Sequence, residues 1–252
     1  MDSHSDRLTM AAKNTAAGCW AASLGDCDGR LTGEHTVSKC LLPKGVVTVK
    51  GLHWCLDEPI TVGISSLTRN ILCKKHNSDL SKVDTYAKTA LDTLAASMDL
   101  ATLRNDLRKN HWTIKRYEID GQLFERWFVT FGGAYGIGRN SSSVGVPSDD
   151  IVRIAFGHQS FDGYAGLHGL SHKNEQISFQ QGIQIVTMLE DSNIVMARFS
   201  FGGFRYLLSL IPEKYTHHDL STLLHHEHRH CFRVRDKRGR EVRSHIVQFK
   251  WP

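Results

Sequence analysis

Cys19-Trp-Ala-Ala-Ser-Leu-Gly-Asp-Cys27, Gly33-Glu34-His35 and Asn70-Ile71-Leu72-Cys73-Lys74-Lys75-His76-Asn77 form the stretch on which the fold turns. Cys73 and His76 are separated by two residues, which sets them one helical turn apart or at a turn entering a helix, so both can face one ion. Structural zinc takes four thiolate or imidazole ligands in a tetrahedron. Two further ligands must come from elsewhere, and Cys19 with Cys27 are the best placed. Seven residues intervene between those two cysteines, wider than a two-residue knuckle, and the surplus is expected to form a longer tip. Cys40 and Cys55 compete for the same role; flanked by apolar residues, each also reads as a small buried hydrophobe.

Working outward, residues 1–14 are polar and aperiodic and read as a disordered leader. Residues 15–110 read as the zinc module with a helical connector. In it, 48–54 and 60–64 are expected as short strands, and 78–109 as helix, with Leu80, Val83, Ala87, Ala90, Leu91 and Leu94 forming one apolar face. Residues 111–252 read as an antiparallel β domain. Asp120-Gly121 looks like a hairpin turn between strands at 112–119 and 123–131. Gly132–Pro147 and Gly157–Lys173 read as loops and Ile151–Phe156 as a short strand. Strands are also expected at 182–189, 194–201 and 204–210, and in a terminal hairpin around Lys237-Arg238-Gly239-Arg240. The expected class is α+β: a zinc-centred module, a helical connector and a C-terminal antiparallel β domain.

Composition narrows the function. No run of about 18 apolar residues exists, and the N-terminus has no apolar core of a secretion signal, so no membrane association and a cytoplasmic location are expected. Six cysteines then read as reduced or metal-bound. The net charge of +5 is mild, but residues 229–250 hold eight Lys/Arg against Asp236 and Glu241. That segment suits a phosphate backbone or, equally, a solvated hairpin. The run His225-His226-Glu227-His228-Arg229-His230 would place His226, His228 and His230 on one face of a strand, a weak metal signal. A homo-oligomer stays open.

On Cys19…Cys27, Gly33-Glu34-His35-Thr36-Val37-Ser38 and Asn70 to Asn77, the chain resembles the HNH, or ββα-metal, endonucleases, treble-clef nucleases, in their endonuclease VII-like form. The resemblance covers about residues 18–84. It implies an N-terminal treble clef stapled by structural Zn²⁺ on Cys19, Cys27, Cys73 and His76. It further implies His35 as general base, Glu34 and Asn77 as holders of a catalytic Mg²⁺ or Mn²⁺, and Asn70 as the residue that steadies the loop and orients the base. DNA is the implied partner, with RNA open, and phosphodiester hydrolysis the implied reaction. The alternatives are a zinc-stapled nucleic-acid- or protein-binding module without catalysis, or a nuclease effector controlled by ligand sensing in the β domain. In those cases His35 is structural, and Asn77 serves as a helix cap.

Overall fold

The computed structural model describes residues 18–28, 30–35, 45–49, 55, 58–139, 148–170, 183–190, 193–210, 224–226 and 229–252. It is a mixed α+β protein. The described strands are β1 (Leu31–His35), β2 (Val46–Val49), β3 (Ile60–Gly63), β4 (Thr68–Cys73), β5 (Lys115–Asp120), β6 (Gly166–Leu170), β7 (Ile183–Glu190), β8 (Asn193–Phe201), β9 (Phe204–Ser209), β10 (Leu224–His226), β11 (Arg229–Arg235) and β12 (Glu241–Lys250). The described α-helices are α1 (Lys74–Leu107), α2 (Gly121–Arg139) and α3 (Asp149–Phe156). The chain divides into two compact units, Met1–Thr85 with Arg126–Ser160 and Leu189–Ile194, and Tyr86–Glu125 with Phe161–Met188 and Val195–Pro252.

In the first unit β1 pairs antiparallel with β4, and β4 runs straight into α1. β2 and β3 form a second antiparallel pair inserted between them. α1 begins as the sequence requires: Leu80 and Val83 are buried at helical spacing. Asp84 accepts a hydrogen bond from the Trp127 indole Nε1 at 3.1 Å. The buried α2 side chains Trp127, Phe128, Val129 and Phe131 lie in this unit, with Trp127 stacked on Phe131 at 5.1 Å.

The second unit holds a five-stranded sheet of order β10-β6-β9-β8-β7 and a three-stranded sheet of order β11-β12-β5. Tyr206 sits in its aromatic core, with ring centroids 5.8 Å from Phe124 and 6.4 Å from Phe249. The Tyr206 hydroxyl meets His230 Nε2 at 2.9 Å, which links the two sheets.

Several expectations for 111–252 are corrected. No strand follows Asp120. Its Oδ1 accepts from Leu123 N at 2.9 Å and so caps α2, and Gly121 provides space where a Cβ would fall 2.5 Å from the Trp251 ring. The aromatics that favour a strand locally, Phe124, Trp127, Phe128 and Phe131, recur at helical spacing, and burial of that face decides the outcome. α2 continues to Arg139, through the glycines that read as a loop. Residues 149–156 are helix: Ser148 Oγ accepts from Ile151 N, and Gly157 ends α3 at φ 78°. β6 occupies part of the expected loop at 157–173. β5 pairs parallel with β12, so the domain is not wholly antiparallel; no tight turn joins strands so distant in the chain. His226 and His230 fall in different sheets, on β10 and β11, and His228 lies outside the described residues, so no single strand presents the three. The expected leader lies outside the described residues as well. Among the described residues, no helix is long and apolar enough to cross a membrane.

Candidate metal centre

Four ligand atoms converge in the first unit. Cys19, Cys27 and Cys73 Sγ and a His76 ring nitrogen lie within 4.8 Å of one another, and all four residues are buried. His76 Nδ1 is 3.5 Å from Cys19 Sγ, 3.7 Å from Cys27 Sγ and 3.2 Å from Cys73 Sγ. A tetrahedron with zinc–sulfur bonds of about 2.3 Å and zinc–nitrogen bonds of about 2.05 Å demands S···N separations of about 3.6 Å. The three S···N separations bracket that value. Cys55 is buried but stands outside it, and Cys40 lies outside the described residues.

Local structure explains the convergence. The residues between Cys19 and Cys27 coil into a single 3₁₀ turn at Ala22–Leu24, closed by Gly25 at φ 78°. That turn absorbs the wide spacing and brings both thiols back to one point. The backbone of Trp20 donates to Ile71 O at 2.6 Å, and Lys74 N donates to Arg30 O at 3.0 Å, which lashes the loop to β4 and the start of α1. Cys73 ends β4 and His76 lies in the first turn of α1, so the strand-to-helix junction fixes the second ligand pair.

Two aspartates that no spacing in the sequence marks as functional complete the surroundings. Asp26 Oδ1 lies 2.8 Å from His76 Nε2, and its Oδ2 takes Lys75 Nζ at 2.7 Å. A carboxylate on Nε2 holds the proton there and leaves Nδ1, the atom facing the thiols, as the ligand. The Lys75 hydrogen bond, more than that of His76, holds the Asp26 carboxyl below its ordinary range against a desolvation cost, and Asp26 and Asp79 in turn raise the Lys75 ammonium. Asp28 accepts from Lys74 N at 3.1 Å and Lys75 N at 2.9 Å, supplying from a distant loop the cap that α1 lacks in its own sequence. Burial pushes the Cys19 thiol up to about 12, against backbone hydrogen bonds from Cys73 and Ala21. A buried thiol of that kind becomes a thiolate only beside a cation. The Phe156 ring, at the end of α3, meets His76 edge-on at 5.1 Å, and Trp20 lies 6.2 Å beyond it.

The residues assigned to catalysis by resemblance lie on β1, β4 and α1. Glu34 and His35 are on β1, paired with Arg69 and Thr68 of β4; the placement of their side chains lies outside what the structure describes. Asn70 is opposite Gly33, its Oδ1 3.7 Å from where a Cβ on Gly33 would stand. Asn77 follows the last ligand and donates through Nδ2 to Thr32 Oγ1 at 3.0 Å and to Gly33 O at 3.2 Å. No protein-family model matches the chain, no curated protein matches it, and no solved structure matches its fold.

Proposed function

We propose that the protein is a metal-dependent endonuclease of treble-clef, ββα-metal design that hydrolyses phosphodiester bonds in DNA. One observation carries the proposal. The helix residue directly after the last zinc-type ligand, Asn77, is hydrogen-bonded to the strand residues Thr32 and Gly33, immediately before Glu34 and His35. β1 carries Glu34 and His35, its partner β4 carries Asn70 and the helix that follows carries Asn77, so the four residues of this reading stand on three adjoining elements.

Zinc in this reading is structural, because four protein ligands leave no open position. A hard divalent cation, Mg²⁺ or Mn²⁺, is the second metal. Carboxylate and amide oxygens suit it. Glu34 would offer the first, and Asn77, its nitrogen engaged with β1, would offer the second. Charge relief at the scissile phosphate and leaving oxygen is the chemistry such a cation would supply. His35, as neutral imidazole at pH 7, accepts the proton of the attacking water. Asn70, across the ladder from Gly33, steadies the strand that carries that base.

The test is plasmid nicking with Mg²⁺ or Mn²⁺ by the zinc-loaded protein. His35→Ala is expected to lower the rate by about 10²–10⁴-fold, the usual contribution of a positioned base. Full cleavage by that variant defeats the mechanism. One observation favours a second reading, a zinc-stapled binding module without catalysis: both Asn77 hydrogen bonds serve structure whether or not a cation binds. That reading expects salt-sensitive binding, no cutting and indifference to His35→Ala.

A further inference from the structure

We infer that the outer face and tip of the β11–β12 hairpin form a docking surface for the phosphate backbone of duplex nucleic acid. The inference takes its class of partner from the nuclease reading, but its evidence lies in the second unit. β11 alternates in burial, with Phe232 and Val234 inside and Arg233 and Arg235 outside. The ladder sets Arg233 directly opposite Arg243. Like charges facing each other across a ladder cost stability.

The two acids of this segment are already occupied. The Asp236 side chain is wholly enclosed in the turn. It accepts from Arg238 N and Arg240 N at 2.8 Å each and pairs with Arg240 Nη2 at 2.9 Å. Glu241 lies 3.5 Å from Arg233. Arg235, Lys237, Arg238 and Arg243 are exposed and have no ion pair among the described residues. The turn hides its own carboxylate and presents its cations.

Two features select a polyanion over a folded acidic protein. Protein interfaces concentrate their binding energy in Trp, Tyr and Arg packed into desolvated pockets, with an aromatic at the centre. No large hydrophobic side chain of β11 or β12 is exposed. Outward arginines two residues apart on a strand also repeat at about 6.7 Å, close to the axial rise of two phosphates on one strand of duplex DNA. The guanidinium fork matches phosphate oxygens bidentately.

Binding is measured by fluorescence anisotropy on the full, zinc-loaded chain carrying His35→Ala, so that cleavage plays no part. The probes are a 20-bp duplex DNA, the same duplex as RNA, and a polyglutamate peptide. Four phosphate contacts give a slope of log K against log salt near −3.6, or about 10²-fold weaker binding from 50 to 200 mM salt. The doubly substituted Arg235→Gln/Arg243→Gln protein is expected to flatten the slope by about two, with an unchanged thermal melt. An unchanged slope overturns the proposal. Polyglutamate binding as tightly as duplex DNA, with equal sensitivity to the pair, overturns it in favour of an acidic protein partner. DNA and RNA bound alike support it as backbone recognition. Binding that persists where the unsubstituted protein fails to cut defeats the nuclease reading alone.

Discussion

Asp26 shows how one unassigned side chain can set the chemistry of a centre. Its contact with His76 Nε2 selects which ring nitrogen faces the three thiols. Replacing Asp26 with Ala is expected to weaken zinc binding by about 10–100-fold, the usual effect of removing such a carboxylate. Competition against a chromophoric chelator measures this, and an unchanged affinity would refute the orienting role. Two buried titratable groups in the second unit act in opposite directions. Burial, partly offset by the Leu167 amide, raises the Glu125 carboxyl to about 7. The fold is thus favoured below its unfolded value of 4.5, and that contribution is lost as pH climbs through about 7. Burial, together with the charge of Arg104, lowers His245 to about 4, so its contribution is complete above 6.5 and fades as pH falls toward 4. Glu125→Gln keeps an acceptor for Leu167 N and removes the first effect. It is expected to be more stable than the parent by ~3 kcal/mol at pH 8, with the difference vanishing below pH 4.5. Melting curves across pH test it; a constant difference would mean that Glu125 does not titrate in this window.

α3 shows where the sequence is legible and where it misleads. Its β-branched pair Ile151 and Val152 reads as strand, yet Ser148, two following aspartates and Gly157 bracket it as a helix start and stop. The caps prevail because the buried face, Val152, Ile154 and Ala155, needs helical geometry. Gly157 suits its place: φ is 78°, where an L side chain is strained, and a Cβ would stand 2.7 Å from Arg126 Nη1, forcing that side chain to move. Ser148→Ala is expected to cost ~1 kcal/mol. Because Phe156 of this helix rests on His76, the same variant should also release zinc to a chelator faster than the parent. Faster melting without faster release would detach α3 from the centre. The metal group itself was legible, since Cys73 and His76 declare their spacing and few partners exist for them. Asp26 and Asp28 were not. They stand in a turn-like run, Gly25-Asp26-Cys27-Asp28-Gly29, whose composition explains them equally well as loop residues. At α2, aromatic β-propensity and the Asp120-Gly121 pair favour strands locally, while burial of Phe124 and Trp127 at helical spacing favours the helix.

The two units differ in what holds them together. The second has an aromatic core around Phe124, Phe199, Tyr206 and Phe249, and none of the four converging ligands belongs to it. In the first, the loop before β1 is joined to β4 and α1 by a few backbone hydrogen bonds, by Asp26 and Asp28, and by the ligand group. Structural zinc contributes roughly 10–16 kcal/mol to small metal-built modules, as much as a whole domain's usual stability of about 5–15 kcal/mol. Without the ion, burial keeps the Cys19 thiol protonated, and the 3₁₀ turn loses the ligand group that anchors it. Chelation at pH 7 is therefore expected to release amide protection at 18–28 and 68–85, while β8, β9 and β12 keep theirs. Hydrogen exchange followed by mass spectrometry resolves the two sets, and elemental analysis of the starting protein should return one zinc per chain. Equal loss in both units would mean that the metal holds the entire chain together. No loss in either would mean that β1, β4 and α1 hold their arrangement without it, and that the four ligands stabilise nothing the apolar packing does not already secure.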